Sequence, residues 1–209
     1  DTALEGEIKK RRIPVKVLGR KKMDQLLNGN HQGIAACIDD YKTWELEELL
    51  ESVPQGKQPL LVMLDGLEDP HNLGAILRTC DCIRADGVII GKHRNVRLTP
   101  TVAKVSTGAI DTVKVSVVTN LVQAIKYLKK QGYWVVGTDF ENSRDYREGQ
   151  YDVPLVLVIG SEGFGISSLV KKNCDYCVRL PMEGSVSSLN ASVAAGILLY
   201  QIHAQRHPL

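Results

Sequence analysis

Residues 59–90 read PLLVMLDGLEDPHNLGAILRTCDCIRADGVII. An apolar run at 60–64 is followed by a loop of turn formers, 65–74. Apolar residues at helical spacing come next, over 73–84, and then a second apolar run at 87–90. Short, continuous apolar runs are strands buried on both faces, and a helix between two of them is how adjacent parallel strands are connected. The same alternation continues downstream. Strand-like runs at 113–117, 133–138, 155–159 and 176–180 are interleaved with helical patterns over 101–109, 121–130, 167–173 and 189–205. The expected class is α/β, with a mainly parallel sheet covered by helices on both faces.

Upstream, residues 52–58 break the periodicity with Pro54, Gln55, Gly56 and Lys57. Before them lie an acidic helical pattern (44–51), a helical pattern at 20–27 and a strand-like run at 33–39. About fifty residues with so few apolar positions make a poor core of their own. The expected division is a partial N-terminal domain with its linker over 1–53, and a main domain over 54–209.

The 209 residues are 44% hydrophobic and 24% charged, which places the chain in the globular class rather than the disordered or fibrous ones. The richest apolar stretch, 191–200, is too short to span a bilayer, and residues 1–12 carry no signal-peptide core; the expected location is the cytoplasm and no membrane partner is expected. Five cysteines (Cys37, Cys80, Cys82, Cys174, Cys177) are the wrong number and pattern for a disulfide framework. A four-thiolate zinc site is weighed and set aside, because Cys80 and Cys82 point apart on a helix; buried, inert thiols are expected and no metal.

The net charge of +2 conceals strong clustering. Residues 8–22 hold eight cations and no acid, including Lys9, Lys10, Arg11, Arg12, Arg20 and Lys21. Residues 39–51 hold six acids and one cation, Lys42. A cationic block is either a solvated face or a surface that neutralises phosphates. A second basic group, Lys92, His93, Arg94 and Arg97, follows a predicted strand and extends the polyanion-binding expectation.

In a parallel α/β sheet ligands bind at loops after the carboxyl ends of strands, and three such loops are unusual. The loop at 65–74 places Asn72 at or near a helix N-cap, with Arg78 about one and a half turns later. The loop Gly160-Ser-Glu-Gly-Phe-Gly165 has three glycines around the carboxylate of Glu162; it is neither a dinucleotide fingerprint nor a P-loop. The third, 180–190, brings Ser185, Ser187, Ser188 and Asn190 to the start of a helix rich in small residues.

The segments NLGAILR (72–78), IGSEGFG (159–165) and LPMEGSVSSLNASVA (180–194) resemble, in order and spacing, the three motifs of the SpoU-type RNA ribose 2′-O-methyltransferases of the SPOUT superfamily. The resemblance covers roughly residues 59–203. The preceding His31-Gln-Gly-Ile34 with its basic lead-in is most similar to bacterial enzymes that methylate a guanosine ribose in large-subunit ribosomal RNA.

The resemblance implies a C-terminal trefoil knot, which connectivity rules alone would not suggest. It implies S-adenosylmethionine as cofactor, held by Gly137, Thr138, Gly160, Leu180, Met182 and Leu189, and a homodimer with the C-terminal helix at its interface. It makes Arg78 the catalytic residue, with Asn72, Glu162, Ser188 and Asn190 positioning it, the ribose and the cofactor. A guanidinium stays protonated, so its chemistry suits clamping a phosphate or stabilising a developing oxyanion. RNA is the implied partner, with ribosomal RNA ahead of transfer RNA; the N-terminal portion corresponds to about the second half of the family's small RNA-binding domain. Competing readings are a transfer RNA enzyme, a resistance methyltransferase, a non-catalytic RNA-binding relative and a Rossmann-type nucleotide enzyme, the last disfavoured by the missing glycine fingerprint.

Overall fold

Lys9 and Lys10 close a helix, α1 (Thr2–Lys10), and Arg20 opens a second, α2 (Arg20–Leu26). They belong to a computed structural model that describes residues 2–27, 31–37 and 40–208, and the chain divides into two compact units, 1–40 and 41–209. In the first unit Glu7 pairs with Arg11 at 3.1 Å and Lys10 at 3.5 Å, while Lys9 and Arg12 stand exposed. The strand expected at 33–39 is not one over residues 33–37. His31 Nδ1 accepts from Gly33 N–H, the His31 carbonyl accepts from Ile34 N–H, and Gly33 takes φ +88°, so local bonds close a turn there. Ile38 and Asp39 lie outside the described residues.

The second unit opens with the acidic helix α3 (Leu46–Glu51), which belongs to the sheet's own core: Leu46 and Leu49 are buried and Leu49 packs against Gly87. The compact unit therefore starts before the expected boundary at 53/54. The apolar runs form β1 (Leu60–Asp65), β2 (Gly87–Gly91), β3 (Val115–Val118), β4 (Trp134–Thr138), β5 (Arg144–Asp145), β6 (Leu155–Gly160) and β7 (Tyr176–Arg179). All their pairings are parallel, in the order β3-β2-β1-β6-β4-β7-β5. β1 and β6 run in register from Leu60 opposite Leu155 to Asp65 opposite Gly160, so the loops carrying two of the three sequence motifs leave the sheet side by side.

Between the strands lie α4 (Pro70–Cys82), α5 (Pro100–Ser106), α6 (Ala109–Thr112), α7 (Leu121–Lys130), α8 (Ser168–Asn173) and the terminal α9 (Ala191–Arg206). Alternate strand residues feed two cores. Val62 and Leu64 meet α4, α5, α6 and α9 on one face; Leu61 and Met63 meet α3, α7 and α8 on the other. The single helix expected at 101–109 is broken into α5 and α6 by left-handed Thr107 and Gly108 (φ 51° and 97°). Among the described residues no helix is long and apolar enough to cross a membrane.

Helices α4 and α5 approach through Gly74. A Cβ built there lies 2.7 Å from Val105 Cβ and 3.1 Å from the Val102 carbonyl. Gly→Ala in a helix ordinarily gains roughly 1 kcal/mol of helix propensity. Here overpacking costs about 1–3 kcal/mol and outweighs it. Gly74→Ala is expected to lower the urea midpoint; a raised midpoint means α5 moves away freely.

Candidate active site

Helix α4 begins one turn earlier than its periodicity suggests. Asp69 is the N-cap, its carboxylate accepting from His71 N–H at 2.9 Å, and Pro70 fills the first helical position, where no N–H is needed. That bond with His71 holds the Asp69 carboxyl below its ordinary range. Asn72 is thus not the cap, and its side chain reaches further. It is 6% exposed; its Nδ2 donates to Glu162 Oε1 at 2.9 Å and its Oδ1 accepts from Asn190 Nδ2 at 2.9 Å.

Glu162 Oε1 also accepts from Asn190 Nδ2 at 2.5 Å and from the Ala191 N–H at 3.1 Å. Asn190 is the N-cap of α9, its Oδ1 accepting from the N–H groups of Ser192 (3.0 Å) and Val193 (3.3 Å). A carboxylate therefore sits where the helix dipole and free N–H groups favour negative charge. Three residues singled out in three separate loops form one bonded cluster.

Beside it, at the carboxyl ends of β4, β6 and β7, opens a cavity of about 380 Å³. Thr138, Gly160, Leu180, Met182 and Leu189, expected to hold a cofactor, line it together with Glu162 and Ser188, expected to position the reacting groups. Gly160 permits the close turn: a Cβ there would collide with the Gly165 backbone, which exchanges two hydrogen bonds with Ser161 (3.0 and 2.9 Å). Gly137 does not line the cavity; it lies behind it, facing Ile166, Cys174 and Cys177.

Arg78 is not in the wall either. It stands exposed on α4, with no side-chain hydrogen bond or ion pair among the described residues. Asp139, which sequence reading did not single out, does line the cavity and pairs with Lys171. Burial raises its carboxyl pKa, but the Lys171 bond and the Glu141 N–H outweigh this and hold it below the ordinary range. Its signal was its place at the end of a strand, one residue after Thr138.

The thiols divide between the faces of the sheet, Cys80 in one core and Cys174 and Cys177 against the other. Burial pushes the Cys80 thiol up to about 12. Cys37 and Cys82 are exposed, against the expectation that all are buried. Cys82 occupies the last residue of α4, on the face turned from the core that holds Cys80.

Residues 59–200 match the SpoU rRNA Methylase family, and residues 2–44 match the family described as RNA 2′-O ribose methyltransferase substrate binding. A Bacillus subtilis protein assigned to the TrmH family of tRNA/rRNA methyltransferases, YacO, is 48% identical over 202 residues, spanning 96% of this chain and 81% of that one. The SpoU methyltransferase AviRb from Streptomyces viridochromogenes, solved with the cofactor AdoMet, superimposes with a TM-score of 0.69 at 31% identity over 75% of this chain and 64% of its own. A TrmH/SpoU tRNA modifying enzyme from A. aeolicus gives 0.67 at 32% identity, over 77% and 82%.

Glu162→Ala removes the shared acceptor of Asn72, Asn190 and Ala191. Hydrogen bonds to charged groups contribute about 1.5–3 kcal/mol, and exposure to solvent puts this site at the low end. The expected outcome is a loss of about 1–2 kcal/mol in urea unfolding, with faster amide exchange at Ala191. Unchanged exchange at Ala191 means the carboxylate does not hold the helix start.

Proposed function

We propose that this chain, which belongs to the SpoU rRNA Methylase family, transfers a methyl group from S-adenosylmethionine to a ribose 2′-hydroxyl of RNA, most plainly a guanosine of large-subunit ribosomal RNA. The observation that carries this reading is the Asn72–Glu162–Asn190 cluster at the mouth of the cavity ending β4, β6 and β7. The match of residues 2–44 to a 2′-O ribose methyltransferase substrate-binding family supports the ribose hydroxyl as acceptor. Transfer RNA is the second reading, favoured by the likeness to the A. aeolicus enzyme.

The residues present fit the cofactor. The cavity falls within the ordinary range for ligand sites, about 300–1,000 Å³. Its wall combines apolar side chains (Ile159, Val178, Leu180, Leu189) with carboxylates at Asp139 and Glu162 and the tightly turned backbone of Gly160. Thr138, Gly160, Leu180, Met182 and Leu189 would hold it, with Gly137 shaping the strand behind. When bound, S-adenosylmethionine supplies a methyl group already activated by its sulfonium.

The chain's own residues then have limited work: alignment, charge stabilisation and removal of one proton. Glu162 and Asn190 fix the loops that line the cavity, Ser188 offers a hydroxyl in its wall, and Asn72 ties α4 to both. Arg78, exposed and unpaired among the described residues, is free to clamp a phosphate or a developing oxyanion. In this reading the first unit is an RNA-binding portion, contacting phosphates through Lys9, Lys10, Arg11, Arg12, Arg20 and Lys21, and the second, from residue 41 and so including α3, is catalytic.

The chain forms a homodimer through α9. Val193, Ile197 and Tyr200, at spacings of four and three, leave an apolar strip 49%, 38% and 54% exposed on a helix whose Ala191, Ala195, Leu198, Leu199 and Ile202 are buried. A C-terminal trefoil knot is consistent with β7 running between β4 and β5 while α9 returns to α4 and β6.

Calorimetric titration is expected to give saturable binding of S-adenosylmethionine and none of NAD; failure to bind the former in folded protein ends the methyltransferase reading. Arg78→Ala is expected to lower transfer about a hundred- to thousandfold, as for loss of one transition-state donor, with cofactor affinity unchanged. Normal turnover removes Arg78 from the mechanism.

A further inference from the structure

We propose that the loop from Lys92 to Arg97 is a phosphate-docking element of the methyltransferase unit, a built surface for the RNA backbone at the same carboxyl end of the sheet as the cavity, with β1 between them. This rests on the reading of RNA as substrate. Lys92, His93, Arg94 and Arg97 are all exposed, and among the described residues none has a side-chain hydrogen bond or ion pair. Elsewhere in the same unit, Lys57, Lys129, Arg147 and Lys171 each face a carboxylate. Glu68 and Asp69 are close in the fold, yet neither lies within ion-pair distance of the four; Asp69 is bonded to His71.

The loop is held rather than free. Lys92 N–H donates to the Val118 carbonyl at 2.8 Å, Val96 N–H to the Leu67 carbonyl at 2.7 Å, and Leu67 N–H to Asn95 Oδ1 at 3.0 Å. Arg94 sits at φ 57°, a left-handed conformation that side-chain-bearing residues seldom adopt. A strained backbone retained between two clamps points to what the residue presents, and Arg94 presents an unpartnered guanidinium.

Position gives the cluster its meaning. The loop follows the carboxyl end of β2, beside β1, and its clamps grip Leu67, five residues before Asn72. Phosphates resting on it would run along the loop that leads into α4, which carries Asn72 and Arg78. The flanking apolar residues Val96 and Leu98 pack inward against the core, so the loop offers no exposed apolar side chain to insert into a lipid surface. Phosphodiester recognition needs only the clustered donors.

The test compares the full chain with a Lys92→Gln, Arg94→Gln, Arg97→Gln variant, using a fluorescein-labelled RNA stem-loop over a salt titration. Loss of three phosphate contacts is expected to flatten the slope of log Kd against log salt by about two to three, and to weaken binding on the order of a hundredfold at 0.1 M salt, converging toward 1 M. S-adenosylmethionine titration is expected to be unchanged, and Lys92→Arg, Arg94→Lys, Arg97→Lys to keep the original slope. Wild-type slope and affinity in the glutamine variant overturn the proposal while leaving the methyltransferase reading intact. A wild-type chain that binds S-adenosylmethionine but not RNA overturns the RNA reading and this surface with it. Loss of sedimentation with phosphatidylglycerol vesicles, with RNA binding unchanged, overturns it in favour of a membrane surface.

Discussion

A single carboxylate oxygen, Oε1 of Glu162, accepts hydrogen bonds from Asn72, 90 residues before it, and from Asn190 and Ala191, 28 and 29 residues after it. Charge-assisted bonds of this kind are roughly twice as strong as neutral ones. Their value here is that the donors start two helices. Asn72 lies in the first turn of α4 and Ala191 opens α9, so one acceptor sets where both enter the core. Two of the joined loops, those after β6 and β7, also line the cavity, so its shape depends on that junction.

The junction works because the sheet beneath it is rigid. β1 and β6 are paired over six residues, with five of six positions in β1 and all six in β6 buried. Asp65 at the end of β1 reaches across to accept from Ser167 N–H at 2.7 Å, tying the start of α8 to the same edge. A site on strand ends holds its groups more closely than one built on free loops. The glycine-rich loop after β6 has little freedom either, since Ser161 and Gly165 bond to each other across it.

The sheet was legible in the sequence because strands buried on both faces leave continuous apolar runs, as at Leu60 to Leu64 and Leu155 to Ile159. The two residues of β5 were not, since Arg144 and Asp145 carry no such pattern and join the sheet only by pairing with β7. The start of α4 was misjudged because Asn72 has the composition of a cap; Asp69 before Pro70 was the better local signal. The break at Thr107–Gly108 and the turn at Gly33 both rest on left-handed residues, which periodicity does not register. Of the site, residue types and order were readable, but Asp139 in the cavity wall was missed and Gly137 lies behind the wall rather than in it. The bonding among Asn72, Glu162 and Asn190 was not, since it depends on tertiary approach across up to 118 residues.

Helix α9 is fastened at its far end as well. The Arg206 guanidinium donates to the carbonyls of Tyr151 (2.9 Å), Gln58 (2.8 Å), Val153 (2.6 Å) and Pro59 (3.4 Å), and burial lowers its pKa, an effect that the charges of Asp86 and Asp152 offset only in part. With Asn190 and Ala191 held by Glu162 and Arg206 held by four carbonyls, the helix cannot turn about its axis without losing one set of bonds. Val193, Ile197 and Tyr200 are therefore exposed by constraint: rotating them inward would break the junction that shapes the cavity. An apolar strip fixed in this way is what the proposed second copy requires, since a helix free to roll could bury the strip by itself and leave nothing for a partner to cover.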